Sequence, residues 1–323
     1  MKTIISPGDF TDVYYKFRSS GLNKILSRFA FSKKGRTKKA WNGGNSGVDN
    51  WWSIPAVRQR WNFLITGNPN TDYSDYLINK YFSDRKDLIM LSPGCGTGGK
   101  ELKFARMDNF SGIEAFDLAP GRIDLARKNA ESLSLKNIEY KVSDALKFEF
   151  KKEYYDIIIF DSFLHHVNKL DEILDKVRLS IKPGGIFVIN EYVGPNRFQW
   201  SKEQLKLSND VLRSLPRAFR IRRQSNAVKS NIYRPGLIRM ILSDPSEAVD
   251  SENILSKIHK RFNTLEEKPY GGNILQLVLK DIAHNFTEGE AESEELLKAL
   301  FGEEDKFLES GNNSDFVFGV YSK

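Results

Sequence analysis

The stretch Leu88-Ile89-Met90-Leu91-Ser92-Pro93-Gly94-Cys95-Gly96-Thr97-Gly98-Gly99-Lys100 decides the fold. Its first five residues are a short, mostly apolar run, as expected of a strand buried on both faces, and Pro93-Gly94 ends it. The glycines that follow let a ligand approach the backbone where any side chain would collide. Residues 100–107 then read as a helix. A buried strand, a glycine turn and a helix in that order form a ligand-facing corner of an α/β sheet. Gly94, Gly96 and Gly99 also satisfy G-x-G-x-x-G, so a dinucleotide site is the rival reading of this loop.

Outward from the loop the alternation continues. Residues 112–117 read as a strand ending in Asp117, and 122–132 as a helix with Ile123, Ala126 and Ala130 on one face. A strand at 138–142 precedes Ser143-Asp144, and one at 155–160 precedes Asp161-Ser162. Residues 170–181 have helical apolar spacing and stop at Lys182-Pro183-Gly184-Gly185, a cationic end followed by helix breakers; a fifth strand covers 185–191. Strands and helices in alternation with short links predict a parallel, doubly wound sheet. Residues 201–262 break the pattern and read as mostly helical. A strand at 262–268, a helix at 273–286 and a closing strand at 315–321 follow.

On these residues the chain resembles the class I methyltransferases that use S-adenosylmethionine (SAM). The family pattern is a G-C-G-T-G loop, an acid after strand two, another after strand three, a D-x-I-x-x-x-x-x-L-H-H-V segment, and K-P-G-G before strand five. This sequence offers Gly94-Cys95-Gly96-Thr97-Gly98, Asp117, Asp144, Asp156 through Leu164-His165-His166-Val167, and Lys182-Pro183-Gly184-Gly185. The resemblance covers 86–200 and extends more weakly to 323. It implies an α/β fold: a Rossmann-like, seven-stranded, doubly wound sheet with an N-terminal helical extension and a helical cap inserted after strand five. The expected segments are a basic and aromatic extension at 1–85, a SAM-binding core at 86–200, a cap at 201–262, and 263–323 completing the core.

The resemblance also implies roles. Gly94, Cys95 and Gly96 lie along the methionine and ribose part of SAM. Asp117 takes the ribose hydroxyls and Leu118 packs on the adenine. Asp144 accepts from the adenine amino group beside Ala145, and Asp161-Ser162 faces the methionine end. Family members carry an acid where this chain has Ser92, so that contact must come from elsewhere. Arg58 or Arg60, in the aromatic segment 51–82, is a candidate clamp for the methionine carboxylate, with Gly67 letting the segment close.

Methyl transfer from a sulfonium is an in-line displacement, so alignment and exclusion of water carry most of the catalysis. A hydroxyl acceptor must also lose a proton, and His165 and His166, just past strand four, are candidate bases. Glu191 and Tyr192 end strand five at the same rim. Ser246-Glu247 and Tyr270 are weaker rim candidates. No Cys/His spacing suggests zinc, so no metal is expected. The Glu-rich tract at 288–305 reads as a solvated helix face.

The net charge of +7 is unevenly spread: residues 1–41 are strongly basic, and 211–243 hold basic residues and no acid. Such segments suit a polyanion, which leaves an RNA or protein methyltransferase as the alternative. Against it, Asp161-Ser162-Phe163-Leu164 is not the turn of enzymes that methylate exocyclic base amines. The favoured acceptor is a small molecule, sugar or natural-product intermediate, methylated on oxygen, because a cap after strand five encloses a pocket. A non-catalytic SAM-binding protein is the third reading. One cysteine, Cys95, and no apolar run long enough to span a bilayer lead to an expected cytoplasmic location.

Overall fold

The computed structural model describes residues 2–10 and 50–323. Most of the basic segment expected at 1–41 lies outside the described residues. Seven strands, β1 (Leu88–Pro93), β2 (Phe110–Asp117), β3 (Ile138–Val142), β4 (Tyr155–Asp161), β5 (Ile181–Tyr192), β6 (Asn263–Gly271) and β7 (Phe316–Ser322), form one sheet. Their order is β3-β2-β1-β4-β5-β7-β6. The first five run parallel, and β7 is antiparallel to both of its neighbours. The winding reverses between β1 and β4, so the carboxyl ends of those strands open a crevice there.

Period-two alternation supplies both faces of the sheet. Met90, Ile157, Ile159, Ile186 and Val188 point to one side. There they meet α1 (Pro55–Thr66), α2 (Tyr73–Tyr81) and α3 (Gly99–Ala105) through Ile65, Leu77 and Phe104. Leu91, Ile158, Phe160, Phe187 and Ile189 point to the other, under α5 (Leu170–Ser180). Leu170, Ile173, Leu174 and Val177 of α5 are fully buried at helical spacing, which fixes that helix to the sheet. Between these two helix groups in sequence, α4 (Pro120–Ser132) lays Ile123, Ala126 and Ala130 over Ala115 and Tyr140. The aromatic extension is therefore a flank of the core and not a separate body.

Three expectations are corrected. Lys182-Pro183-Gly184-Gly185 is not a turn before β5 but a bulge inside it: Ile181 already pairs with Tyr155, and the register shifts before Ile157 meets Ile186. Beneath the bulge Asp156 accepts from Lys182 Nζ at 2.7 Å, Arg85 Nη2 at 2.7 Å and Ile89 N at 2.9 Å, tying β1, β4 and β5 together. Second, the expected 273–286 helix is only α9 (Leu275–Leu279) plus a turn at Ala283–Asn285. Third, the Glu-rich tract is not wholly solvated. It forms α10 (Ala291–Glu309), whose Glu304 is fully buried and caps α9 by accepting from Ile274 N at 3.0 Å and Leu275 N at 3.1 Å. Burial pushes the Glu304 carboxyl above its ordinary range.

The cap is assembled from more of the chain than 201–262. Its helices are α6 (Lys202–Ser214), α7 (Leu237–Ser243) and α8 (Ile254–His259). α6 shares a second hydrophobic core with α9, α10, Trp51, Ile54 and Val57. Thus α9 and α10, expected to complete the sheet domain, pack with the cap. Residues 221–236 are not helical: a turn at 223–225 is closed by one antiparallel bridge between Ile221 and Val228, and the rest is irregular. Lys229 holds that segment down, donating to the carbonyl oxygens of Leu277, Val278 and Lys280 at 2.7, 2.9 and 2.7 Å. The amino-terminal residues also join the cap: Asp9 accepts from Gly236 N at 3.0 Å and Arg239 Nε at 2.6 Å.

Candidate active site

The glycine loop leaves β1 with Gly94, Gly96 and Gly98 all at positive φ (74°, 58° and 80°). At two of them the neighbours also forbid a side chain. A Cβ on Gly94 would lie 2.2 Å from Phe163 Cδ2, and one on Gly98 would lie 2.4 Å from the Tyr140 hydroxyl. Beside Gly96 the nearest protein atom to an added Cβ is Arg122 Nη1 at 3.7 Å, so the crevice is open there. Asp117 at the tip of β2 shapes the loop. Its carboxylate accepts from Gly96 N at 3.0 Å and Ala119 N at 2.8 Å. Burial raises its pKa, and these backbone donors offset part of the rise.

The next strand end adjoins this one: Ser143 N donates to the Asp117 carbonyl at 3.0 Å. Asp144 accepts from Leu146 N at 3.0 Å, Ala145 is buried and Leu118 half-buried. The structure thus places Gly94, Gly96, Asp117 and Asp144 at the adjoining carboxyl ends of β1, β2 and β3, with Leu118 and Ala145 directly after the two acids. Cys95 lies in the same loop, its thiol kept protonated by burial.

The departure at Ser92 is answered from α3. Ser92 Oγ donates to Glu101 Oε1 at 2.6 Å, and Glu101 is buried beneath the loop. Burial pushes its carboxyl up to about 7. Sequence reading missed Glu101; an acid in the first turn of the helix after a loop whose strand lacks one was the available signal.

Asp161, at the end of β4, is a hub. It accepts from Tyr73 Oη of α2 at 2.5 Å and from Asn190 Nδ2 at 3.1 Å, and it pairs with Lys100. Burial alone would raise its pKa, but Lys100, Tyr73 and Asn190 hold it below the usual range. Tyr270 Oη donates to Asn190 Oδ1 at 2.7 Å, extending the chain of bonds to β6. Ser162 beside it is exposed, at φ 55°.

A turn at Leu164–His166 carries the two histidines. Glu191, fully buried, accepts from Phe163 N at 2.7 Å, Leu164 N at 2.6 Å and Tyr192 N at 3.0 Å, and bonds His165 Nδ1. His165 Nε2 lies 3.6 Å from Glu247 Oε1. His166 Nδ1 is 3.2 Å from Ser246 Oγ, which donates to Asp244 at 2.6 Å. Burial would lower the pKa of His165, yet Glu191 raises it above the ordinary value; burial and the neighbouring His165 push His166 well below.

The segment that supplies Asp244, Ser246 and Glu247 comes from the cap. Arg197 braces it by donating to the carbonyl oxygens of Pro245 and Glu247, both at 2.8 Å.

Other candidates are placed elsewhere. Arg60 is not a clamp in the crevice: it forms a two-point pair with Asp305 of α10 and stacks over Phe301, joining the extension to the cap. Arg58 is exposed on α1. Gly67 at φ 81° is the left-handed C-cap of α1, its N–H donating to Phe63 O at 2.8 Å. Tyr192 stays beside His165, but its hydroxyl is committed to Pro195 O at 3.0 Å.

A sequence profile described as "Methyltransferase domain" matches residues 84–267. The chain belongs to the class I SAM-dependent methyltransferases. Among curated relatives, methyltransferase calH of Penicillium decumbens is 33% identical over 130 residues, which cover 37% of this chain and 35% of the relative. The match thus spans about a third of that protein's length. A geranyl diphosphate C-methyltransferase from Streptomyces coelicolor A3(2) superposes with a TM-score of 0.54 at 11% identity, covering 91% of this chain and 99% of that one. Phosphoethanolamine N-methyltransferase 2 of Haemonchus contortus, in complex with SAM, gives 0.51 at 16% identity, covering 93% and 59%. These likenesses show the fold. The family is one of enzymes that take SAM as methyl donor.

One test of the methyltransferase's loop needs no acceptor. Gly98→Ala is expected to cost roughly 1–2 kcal/mol from the left-handed backbone alone, before its contact with Tyr140. Denaturant unfolding should show the loss, and adding Tyr140→Phe should recover part of it. A Gly98→Ala protein as stable as the parent would refute the close approach.

Proposed function

We propose that this methyltransferase transfers a methyl group to an oxygen of a small-molecule acceptor, a sugar or natural-product intermediate, held under the cap. One observation carries the reading: a cavity of about 500 Å³ is lined by residues of the cap and of the amino-terminal segment and includes Asp244 and Glu247, and Glu247 links it to the histidine pair at 3.6 Å from His165 Nε2, while the glycine loop lies outside its lining. Aromatic side chains, Trp52, Phe198 and Tyr233 among them, line it, as suits a ring-bearing ligand. The basic stretch at 211–243 supports the same reading over a polyanion. Arg222 pairs with Asp281, Arg239 pairs with Asp9, and Lys229 is committed to carbonyl oxygens. Among the described residues no helix is long and apolar enough to cross a membrane, and a cytoplasmic setting is part of the proposal.

In this reading Gly94, Cys95 and Gly96 support the methionine and ribose of SAM, and Asp117 and Leu118 hold the ribose and adenine. Asp144 with Ala145 receives the adenine amino edge, and Asp161-Ser162 borders the methionine end. SAM supplies an electrophilic methyl on a sulfonium. The chain aligns the acceptor with it and excludes water. His165 and His166 activate the acceptor oxygen, with Glu191 fixing His165 and Tyr192 packing behind it, its ring centroid 6.2 Å from that of His165.

The fold leaves the acceptor atom open, since the structural relatives named above act on carbon and nitrogen. The test is a screen of neutral sugars and small phenols that follows release of S-adenosylhomocysteine (SAH). His166→Ala is then expected to lower turnover by about 10²–10⁴-fold while SAH binds as before. Normal turnover would remove His166 from the reaction.

A further inference from the structure

We infer that His165, His166 and Glu247 form a binding site for one zinc-class divalent ion, open toward the acceptor cavity. One nitrogen of each imidazole and one Glu247 oxygen all lie within 4.8 Å of one another. The two rings stand 4.1 Å apart, and His165 Nε2 is 3.6 Å from Glu247 Oε1. The surroundings match what ion-bound histidines need, namely a second hydrogen bond that fixes the ring and strengthens it as a ligand. His165 Nδ1 has this from buried Glu191 directly. His166 Nδ1 has it from Ser246, which is itself bonded to Asp244 at 2.6 Å. Arg197 braces the loop that presents Glu247.

Two imidazole nitrogens and one carboxylate oxygen suit zinc or its transition-metal neighbours and do not suit magnesium or calcium, which take oxygen ligands. Three protein ligands leave a fourth position, as in catalytic zinc sites. Of the three ligands Glu247 lines the cavity, and the inference places the open position on that side. The expectation of no metal came from sequence spacing; the cap brings Glu247 to histidines 81 and 82 residues earlier in the chain (247 − 166 and 247 − 165).

This inference rests on the reading that the histidine pair activates the acceptor oxygen, and it names the means. The acceptor's hydroxyl oxygen binds the ion and releases its proton to bulk solvent before the site closes around SAM. That oxygen then bonds the methyl carbon as the carbon–sulfur bond breaks, the sulfur keeping the electron pair, to give SAH and a methyl ether.

The metal-stripped full chain should be titrated with ZnCl₂ by calorimetry, and with Co²⁺ while visible absorption is followed. The expected result is one Zn²⁺ per chain with a Kd at or below about 1 µM. Co²⁺ bands of low-symmetry coordination should appear, and MgCl₂ should give no saturable binding. His166→Ala and Glu247→Gln should each weaken Zn²⁺ binding at least ~10-fold while SAH binding and melting stay unchanged; His259→Ala, at an exposed histidine, should not. Absence of stoichiometric Zn²⁺ binding overturns the inference, as does binding that survives both substitutions. If Zn²⁺ fails to bind but His166→Ala still stops methyl transfer, the ion falls and the proposed function stands.

Discussion

Asp117→Ala is expected to weaken SAH and SAM binding at least ~100-fold while leaving a folded protein. The carboxylate has two separable tasks. It accepts from Gly96 N and Ala119 N, at 3.0 and 2.8 Å, and so sets the path of the loop before any ligand arrives. In the proposed complex it also meets the ribose hydroxyls. Hydrogen bonds to a charged group contribute ~1.5–3 kcal/mol each, and about 1.4 kcal/mol is a factor of ten, so losing two of them accounts for the expected change. Gly96 at φ 58° gains from such an anchor because its glycine backbone is otherwise free to take many conformations. Calorimetry with SAH reads affinity directly, and Asp117→Asn separates the tasks: an amide keeps one acceptor oxygen and most of the packing, so its loss should be smaller. If Asp117→Ala bound SAH like the parent, the assignment of this crevice to SAM would have to be withdrawn.

Legibility in the sequence followed range. The buried strands and α5 were readable because their periodicity is local: Ile157-Ile158-Ile159 has the composition of a strand covered on both faces, and Leu170, Ile173, Leu174 and Val177 have the spacing of one helix face. Gly94 and Asp117 were readable because strand–turn–helix geometry demands residues of those kinds there. What escaped is what distant segments make together. Arg60 reads as a free cation near the core, and only the packing of α10 brings Asp305 to it. Glu304 reads as one more solvated acid, and only the placement of α9 gives it two backbone N–H groups to cap.

Lys182-Pro183-Gly184-Gly185 misled for a different reason. Proline and glycine punctuate turns and bulges alike, and pairing of Ile181 with Tyr155, invisible in one dimension, decides between them. Glu247 belongs with the first group. The sequence offers it as a rim residue, but its tie to His165 is set by the cap, whose irregular 221–236 segment carries no periodic pattern that would announce the contact.

Glu191→Ala is expected to do more damage than any substitution at the histidines, because it strikes stability and chemistry together. This fully buried carboxylate takes the N–H groups of Phe163, Leu164 and Tyr192 as well as His165 Nδ1. Alanine would strand those donors where water cannot replace the acceptor. Each buried donor so stranded costs ~1–3 kcal/mol, and the sum is comparable to the ~5–15 kcal/mol that keeps a typical protein folded. The expected outcome is a chain recovered in poor yield, with a clearly lower denaturation midpoint. Glu191→Gln isolates the chemical part. Its carbonyl oxygen can still accept from Phe163 N and Leu164 N, but its amide is a donor and cannot accept from His165 Nδ1–H or from Tyr192 N, so a modest loss of stability accompanies the chemical one. The imidazole would then lose the partner that keeps hydrogen on Nδ1 and the lone pair of Nε2 toward Glu247 and the cavity. That lone pair is what activation of the acceptor requires, whether it meets a proton or an ion. Glu191→Gln should therefore bind SAH normally and lose turnover by about 10²-fold or more, as expected when a buried carboxylate that fixes a histidine is made neutral. Full turnover in a folded Glu191→Gln protein would show that the orientation of His165 does not matter to the reaction, and the active centre would have to be sought around His166 and Asp161 alone.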